Sequence, residues 1–170
     1  SQVPTIIEEV ANCIESSIRS GGKVLLCGNG GSAADSQHIA AEFVSRFMFD
    51  RPAMAAIALT TDTSALTAIG NDYGFEKLFE RQVEALGSDC DVFIGISTSG
   101  NSKNIIKVLK KAKKMNIQSI ALLGCNGGLA KKFADNPIIV NSNNTARIQE
   151  SHIFIGHFIL ESVERKILKI

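Results

Sequence analysis

Three stretches of the chain concentrate side chains that could do chemistry. In "SQHIAAEF", His38 and Glu42 stand four residues apart, so on a helix they share a face one turn from each other. Such a pair suits two ligands of one metal ion, or a base beside its partner. Taken alone, it is more often the pattern of a solvated surface pair. In "RIQESHIFIGH", Gln149, His152 and His157 interrupt an otherwise apolar run. At ~100° per residue, His152 and His157 point to different faces and so to different surroundings. His157 lies among Ile153, Phe154 and Phe158, where a lone histidine is ordinarily a hydrogen-bonded core residue. In "GISTSGNS", Ser97, Thr98, Ser99 and Ser102 gather four hydroxyls around Gly100.

Hydroxyls and backbone N–H groups at the start of a helix suit a phosphate monoester. A helix cap with a polar turn would use one or two of these residues. A second stretch, "GNGGSA" (28–33), fits the loose G-x-G-x-x-A pattern of dinucleotide-binding turns. Its glycines would admit an anion close to the backbone; the alternative is a tight turn that binds nothing. The dinucleotide pattern also wants an acid at the end of the next strand, about 20 residues on. The acid there, Asp62, lies 29 residues beyond Ala33. No G-x-x-x-x-G-K-[ST] occurs, which disfavours a P-loop nucleotidase.

These residues need a scaffold. Five short apolar runs read as strands: "KVLLCG" (23–28), "MAAIALT" (54–60), "DVFIGIS" (91–97), "QSIALLG" (118–124) and "PIIVN" (137–141). Helical spacing links Val3, Ile6, Ile7, Val10, Ile14 and Ile18, and Gly21 and Gly22 end that helix. Ser32 is expected to cap the helix after the first strand. Over 102–115, Ile105, Val108, Leu109 and Ala112 form one face, and six lysines lie mostly off it. With no aromatics between them to stack bases, those lysines predict a wet face rather than a nucleic-acid surface. The last run, 145–169, is apolar on nearly every side and predicts a helix buried on several faces, one of them a subunit interface.

Apolar strands alternating with helices predict one α/β domain over 1–170, a doubly wound five-stranded parallel sheet flanked by helices. Ligands of such sheets bind beyond the carboxyl ends of the strands, which selects the loops at 28–32, 60–64 and 97–102. The length of 170 residues, 45% hydrophobic content and net charge of +1 fit one ordinary globular domain and exclude a broadly basic surface. Cys13, Cys27, Cys90 and Cys125 show no CxxC spacing and read as free thiols of a reducing cytoplasm. No signal-like start occurs, and no apolar run approaches the ~18 residues of a membrane span.

"GNGGSAADSQHIAAEF", "ALTTDTSALTAIGNDYGFE", "GISTSGNS" and "ARIQESH" occur in the order and spacing of the sugar isomerase (SIS) domain proteins. Together, from about residue 3 to the end, they resemble the phosphoheptose isomerases of that family. The resemblance implies a flavodoxin-like three-layer sandwich and a cytoplasmic homotetramer with active sites at subunit interfaces. It implies isomerisation of sedoheptulose 7-phosphate to D-glycero-D-manno-heptose 7-phosphate for surface heptose synthesis. The substrate-binding positions carried over are Asn29, Gly30, Gly31, Glu42, Asn71, Asp72, Ser97, Thr98, Ser99, Ser102 and Gln149. The zinc ligands are His38, Glu42, Gln149 and His157, one ion per subunit, and the base and acid are Glu42 and His157. Gln149 is an unusual ligand for zinc. Two departures stand out: relatives often carry an additional N-terminal segment, and Ala146 stands where some heptose isomerases have an acid.

Other readings differ in class. Some SIS-domain relatives are non-catalytic and bind the replication initiator protein. That branch is expected to lack counterparts of Glu42 and His157, which this chain has. A sugar-phosphate sensor would ordinarily be fused to a DNA-binding segment. A dinucleotide-dependent oxidoreductase is disfavoured by the displaced acid and the serine loop.

Overall fold

A computed structural model describes residues 3–170, with side chains from residue 5 onward. Val3 therefore takes its place in the first helix by backbone alone, and residues 1 and 2 of the predicted domain lie outside the described residues. The helices are α1 (Val3–Arg19), α2 (Gly31–Val44), α3 (Thr63–Tyr73), α4 (Leu78–Leu86), α5 (Lys103–Lys114) and α6 (Thr145–Leu168). The strands are β1 (Val24–Cys27), β2 (Ala56–Ala58), β3 (Val92–Ser97), β4 (Gln118–Gly124) and β5 (Asn136–Val140).

All four strand pairings are parallel, in the order β2-β1-β3-β4-β5. The predicted five-stranded parallel sheet is what forms. Side chains alternate between its faces with period 2. Val24, Leu26, Val92, Ile94, Ile96, Ile120 and Leu122 pack on one side with residues of α1, α2 and α6. Leu25, Cys27, Phe93, Ala121 and Leu123 pack on the other with residues of α4 and α5. Strands buried on both faces must be apolar throughout, which is why they read as unbroken runs. Each fully buried Leu, Ile or Phe side chain contributes roughly 1.5–3 kcal/mol.

The first and fifth helices match expectation. Gly21 (φ 79°) ends the turn after α1. On α5, Ile105, Val108, Leu109 and Ala112 are fully buried, while Lys103, Lys110, Lys113 and Lys114 are exposed. One expectation is corrected. Ser32 does not cap α2: the helix already begins at Gly31, its N-cap is Gly30 with φ 57°, and Ser32 is buried inside it. A φ in that region suits glycine and leaves serine no place at the cap. Helix α6 is covered on some of its faces and not on others. It buries Ile148, His152, Ile159, Leu160 and Val163, yet Phe154 is 66% and Phe158 52% exposed within the single chain. One flank of this helix is therefore left largely open by the described residues. The four cysteines are free, as expected. Among the described residues, no helix is long and apolar enough to cross a membrane.

The strand order reverses direction between β1 and β3. Chain leaving β1 turns one way to α2, and chain leaving β3 turns the other way to α5. A crevice opens between the two loops at the carboxyl ends of these strands, where open α/β sheets bind ligands.

Candidate active site

Two loops form this crevice, and both lead into helices without a side-chain cap. At the start of α5, the N-cap Ser102 makes no cap hydrogen bond; its hydroxyl is 3.0 Å from Ser97 Oγ. The Gly100 N–H donates to Ser97 Oγ at 3.1 Å, and the Asn101 N–H donates to Ser99 Oγ at 3.1 Å. Gly100 has φ 65°, and a Cβ there would stand 2.2 Å from the Gly127 carbonyl oxygen, so only glycine closes this turn. Ser97 is buried, Thr98 half-buried and Ser99 exposed, so the four hydroxyls line the turn at different depths. Helix α2 likewise starts from Gly30 with no side-chain cap. By contrast, Asp62 caps α3 through the Ala65 N–H, and Asn144 caps α6 through the N–H groups of Ala146 and Arg147. Neither Gly30 nor Ser102 supplies the acceptor that the N-cap residues of α3 and α6 supply; in α5 the Ile105 N–H is taken instead by Asn104 Oδ1 at 3.0 Å. Asp62, the misplaced acid of the dinucleotide pattern, is used as a cap.

A cavity of about 550 Å³ lies between these loops, walled by Asn29, Phe75, Glu76, Ser102, Lys103 and Asn104. Glu76 accepts from Lys107 Nζ at 2.5 Å, and that contact holds its carboxyl below the usual range. Asn71 and Asp72 are exposed near the end of α3, where the Asn71 amide donates to Asp72 Oδ1 at 2.8 Å. Neither lines the cavity, whereas the turn that follows them does, through Phe75 and Glu76.

The second cluster lies where α2 crosses α6. A Cβ at Gly156 would stand 2.6 Å from Ile39 Cδ1, so the missing side chain lets the two helices approach closely. The approach brings His157 to His38, with Nε2 to Nε2 at 3.2 Å. His38 Nε2 is also 3.3 Å from Glu42 Oε1, and the side chains of His38 and Glu42 are 49% and 27% exposed. His157 is not the enclosed core residue its apolar neighbours suggest. It is half-buried and stacks on Phe47 at 4.9 Å with 21° between the rings. His152 is the core histidine: it is fully buried, and neither ring nitrogen has a hydrogen-bond partner of normal geometry. Burial lowers its pKa, the nearby Leu123 carbonyl opposes that shift, and the net direction is down. The two histidines thus occupy separate surroundings, as their spacing predicts.

Gln149 is not part of the histidine cluster in this chain. Its Nε2 lies 2.4 Å from where a Cβ of Gly31 would be, at the start of α2. Gly31 and His38 are separated by about 10 Å along a helix axis, at 1.5 Å per residue. Gln149 therefore faces the glycine loop. Among the described residues, no group of three His, Cys, Asp or Glu side chains forms a ready-made metal cage. The imidazole nitrogens of His38 and His157 face each other instead of surrounding a common centre.

Several residues with no sequence signal support these clusters. Asp35, one turn before His38, has a buried Oδ2 without a partner, and burial raises its carboxyl pKa against the opposing charge of His38. The Arg51 guanidinium donates to the carbonyls of Glu42 and Phe43 at 2.8 and 2.9 Å, closing the end of α2. Arg51 Nε donates to Glu164 at 2.9 Å, and the same carboxylate accepts from the N–H groups of Phe47, Met48 and Phe49. That network holds the loop from which Phe47 reaches His157. No periodicity or motif announces it, because its members are joined only through the fold.

Comparison with known proteins agrees with this geometry. The SIS domain family matches residues 3–124. A phosphoheptose isomerase of Clostridium acetobutylicum is 57% identical over 164 residues, covering 95% of this chain and 84% of that relative. The structure of phosphoheptose isomerase GmhA from Neisseria gonorrhoeae superposes with a TM-score of 0.87 at 46% identity, covering 96% of this chain and 86% of that one. A phosphoheptose isomerase structure from Francisella tularensis gives 0.91 at 39% identity, covering 95% and 86%. An open crevice at the β1/β3 reversal, an uncapped serine loop and a His–Glu–His cluster occur here on a chain sharing half its residues with isomerases; it belongs to the SIS domain family and, within it, to the phosphoheptose isomerases.

Proposed function

We propose that this isomerase interconverts sedoheptulose 7-phosphate and D-glycero-D-manno-heptose 7-phosphate as a precursor step of surface heptose, in lipopolysaccharide or capsule. The observation that carries the reading is the contact of His157 and Glu42 with His38 at 3.2 and 3.3 Å, on two helices that flank the substrate crevice. The phosphate sits in the 97–102 loop against the hydroxyls of Ser97, Thr98, Ser99 and Ser102 and the start of α5. Asn29, Gly30, Gly31, Asn71, Asp72 and Gln149 take the sugar hydroxyls.

Aldose–ketose exchange moves one proton between neighbouring carbons. Glu42 removes the proton from C1 of the ketose, and the electron pair forms the C1–C2 double bond of an enediol(ate). The C2 oxygen takes up a proton. Return of a proton to C2 and loss of one from the C1 oxygen complete the aldose. Glu42 takes the proton from C1 and returns it to C2, and His157 shuttles a proton at the oxygens or at the neighbouring carbon.

His38, Glu42 and His157 are of the donor types that zinc takes, and would have to turn toward a common centre to hold it. The contacts of His38 with His157 and Glu42, at 3.2 and 3.3 Å, bring the three within reach of one ion. Gln149 is the proposed fourth ligand and lies apart from these three in this chain. A bound zinc would polarise the substrate carbonyl and stabilise negative charge on its oxygen. One ion per subunit, a homotetramer with sites at subunit interfaces, and a cytoplasmic location complete the proposal. The uncovered Phe154 and Phe158 flank of α6 favours assembly with further copies.

The test is turnover of sedoheptulose 7-phosphate followed by NMR, with zinc added or chelated, beside the mass of the native assembly. Formation of the aldose phosphate by a tetramer supports the reading. A folded tetramer that leaves the ketose unchanged with and without zinc rejects it.

A further inference from the structure

Asn104 is a buried amide to which the resemblance assigns no role, yet it is bonded to a residue that it does. It is the second residue of α5 and is 2% exposed. Its Nδ2 donates to Asn29 Oδ1 at 2.8 Å, and Asn29 Nδ2 donates back to Asn104 Oδ1 at 3.0 Å. The Ile105 N–H donates to the same Asn104 oxygen at 3.0 Å, which fixes this amide to the helix backbone. Asn29 belongs to the loop after β1, and Asn104 follows the loop after β3. The pair therefore bridges the reversal point of the sheet, joining the glycine loop to the hydroxyl loop. Both residues line the 550 Å³ cavity.

We propose that Asn104 is a positioning residue for the isomerase: it holds the Asn29 amide, and with it the glycine loop, in the orientation that receives the sugar phosphate. The reciprocal pair uses one N–H of the Asn29 amide and engages its oxygen, leaving the second N–H for the cavity. The pair admits only one amide orientation, since rotating either group by 180° sets N–H against N–H and oxygen against oxygen. Asn104 thus decides that Asn29 offers a donor to the substrate. A buried amide stripped of its partner loses this bias and must find water or another acceptor. The inference rests on the reading of Asn29 as a substrate-binding residue.

A double-mutant cycle on the full-length enzyme tests it, with turnover of sedoheptulose 7-phosphate and thermal unfolding measured for Asn29→Ala, Asn104→Ala and the double variant. Asn104→Asp serves as the near-isosteric control, because it keeps the acceptor for Asn29 and removes the donor. The expected result is KM raised about five- to tenfold by each single alanine, kcat changed less than KM, and a double variant no worse than either single. Asn104→Asp should lie between wild type and Asn104→Ala. If Asn29→Ala raises KM while Asn104→Ala does not, or if the two losses multiply in the double variant, Asn104 does not act through Asn29 and the inference fails alone. If Asn29→Ala leaves KM unchanged in an enzyme that turns over the ketose, the assignment of Asn29 fails and the inference with it.

Discussion

His38 Nε2 meets His157 Nε2 at 3.2 Å and Glu42 Oε1 at 3.3 Å. Two imidazoles in such contact cannot both be protonated at the facing nitrogens without repulsion; one must donate and the other accept. A cation between them removes the conflict, which makes this the place to look for zinc. Native mass spectrometry should find about one zinc per chain, and His38→Ala should release it while the fold persists. Retention of zinc by a folded His38→Ala protein would remove His38 from the ligand set. At this scale the sequence is a partial guide. Spacing alone pairs His38 with Glu42, because a single helix turn joins them. Nothing local pairs either with His157, 119 positions away from His38. Arg51, Glu164 and Asn104 are similarly silent, since buried polar partners from distant segments leave no periodic trace.

The elements that carry these residues are held by a few close approaches. Helix α6 reaches α2 at Gly156, where a Cβ would stand 2.6 Å from Ile39. A leucine there must push the helices apart or distort Ile39, at a cost of about 1–3 kcal/mol. We expect Gly156→Leu to remain folded with a lower Tm and to lose far more activity than stability, because the His38–His157 contact opens. Circular dichroism melts beside turnover rates would decide it; full activity would mean the crossing does not set the site. Strand β4 runs over 118–124 as its apolar run indicates, because it is central and buried on both faces. Strand β2 covers only Ala56–Ala58 of the run at 54–60. It is the sheet edge, and the Met54 N–H is drawn to the Phe43 carbonyl at the end of α2 instead of to β1. Edge position is a property of the assembled sheet, so a local run cannot declare it.

At the scale of the whole molecule, one buried ion pair connects stability to the site. Glu164 and Arg51 have no exposed side-chain surface. Burial pushes the Glu164 carboxyl up, but the N–H groups of Phe47, Met48 and Phe49 and the Arg51 charge outweigh it, leaving its pKa below the ordinary value. A carboxyl lowered on folding adds stability that is complete above its unfolded pKa of about 4.3 and is lost as pH falls through the folded value. Unfolding free energy should therefore drop below about pH 4.3, and Glu164→Gln should flatten that dependence. At neutral pH the same variant should lose roughly 3–5 kcal/mol, because Arg51 is left buried without its counter-charge. Urea titrations at pH 7 and at steps from about pH 4.3 downward read both effects, and an unchanged acid slope would contradict the assignment.

If Glu42 moves a proton between C1 and C2 of a ketose phosphate, the hydrogen at C2 of the product reports it. Sedoheptulose 7-phosphate incubated with the enzyme in D2O should yield an aldose phosphate with deuterium at C2 to the extent that the proton held by Glu42 exchanges with solvent before its return, observed by NMR. Glu42→Gln should remain folded and lose both exchange and turnover by about 10²-fold or more. Deuterium entry and turnover in Glu42→Gln at the wild-type rate would contradict the account.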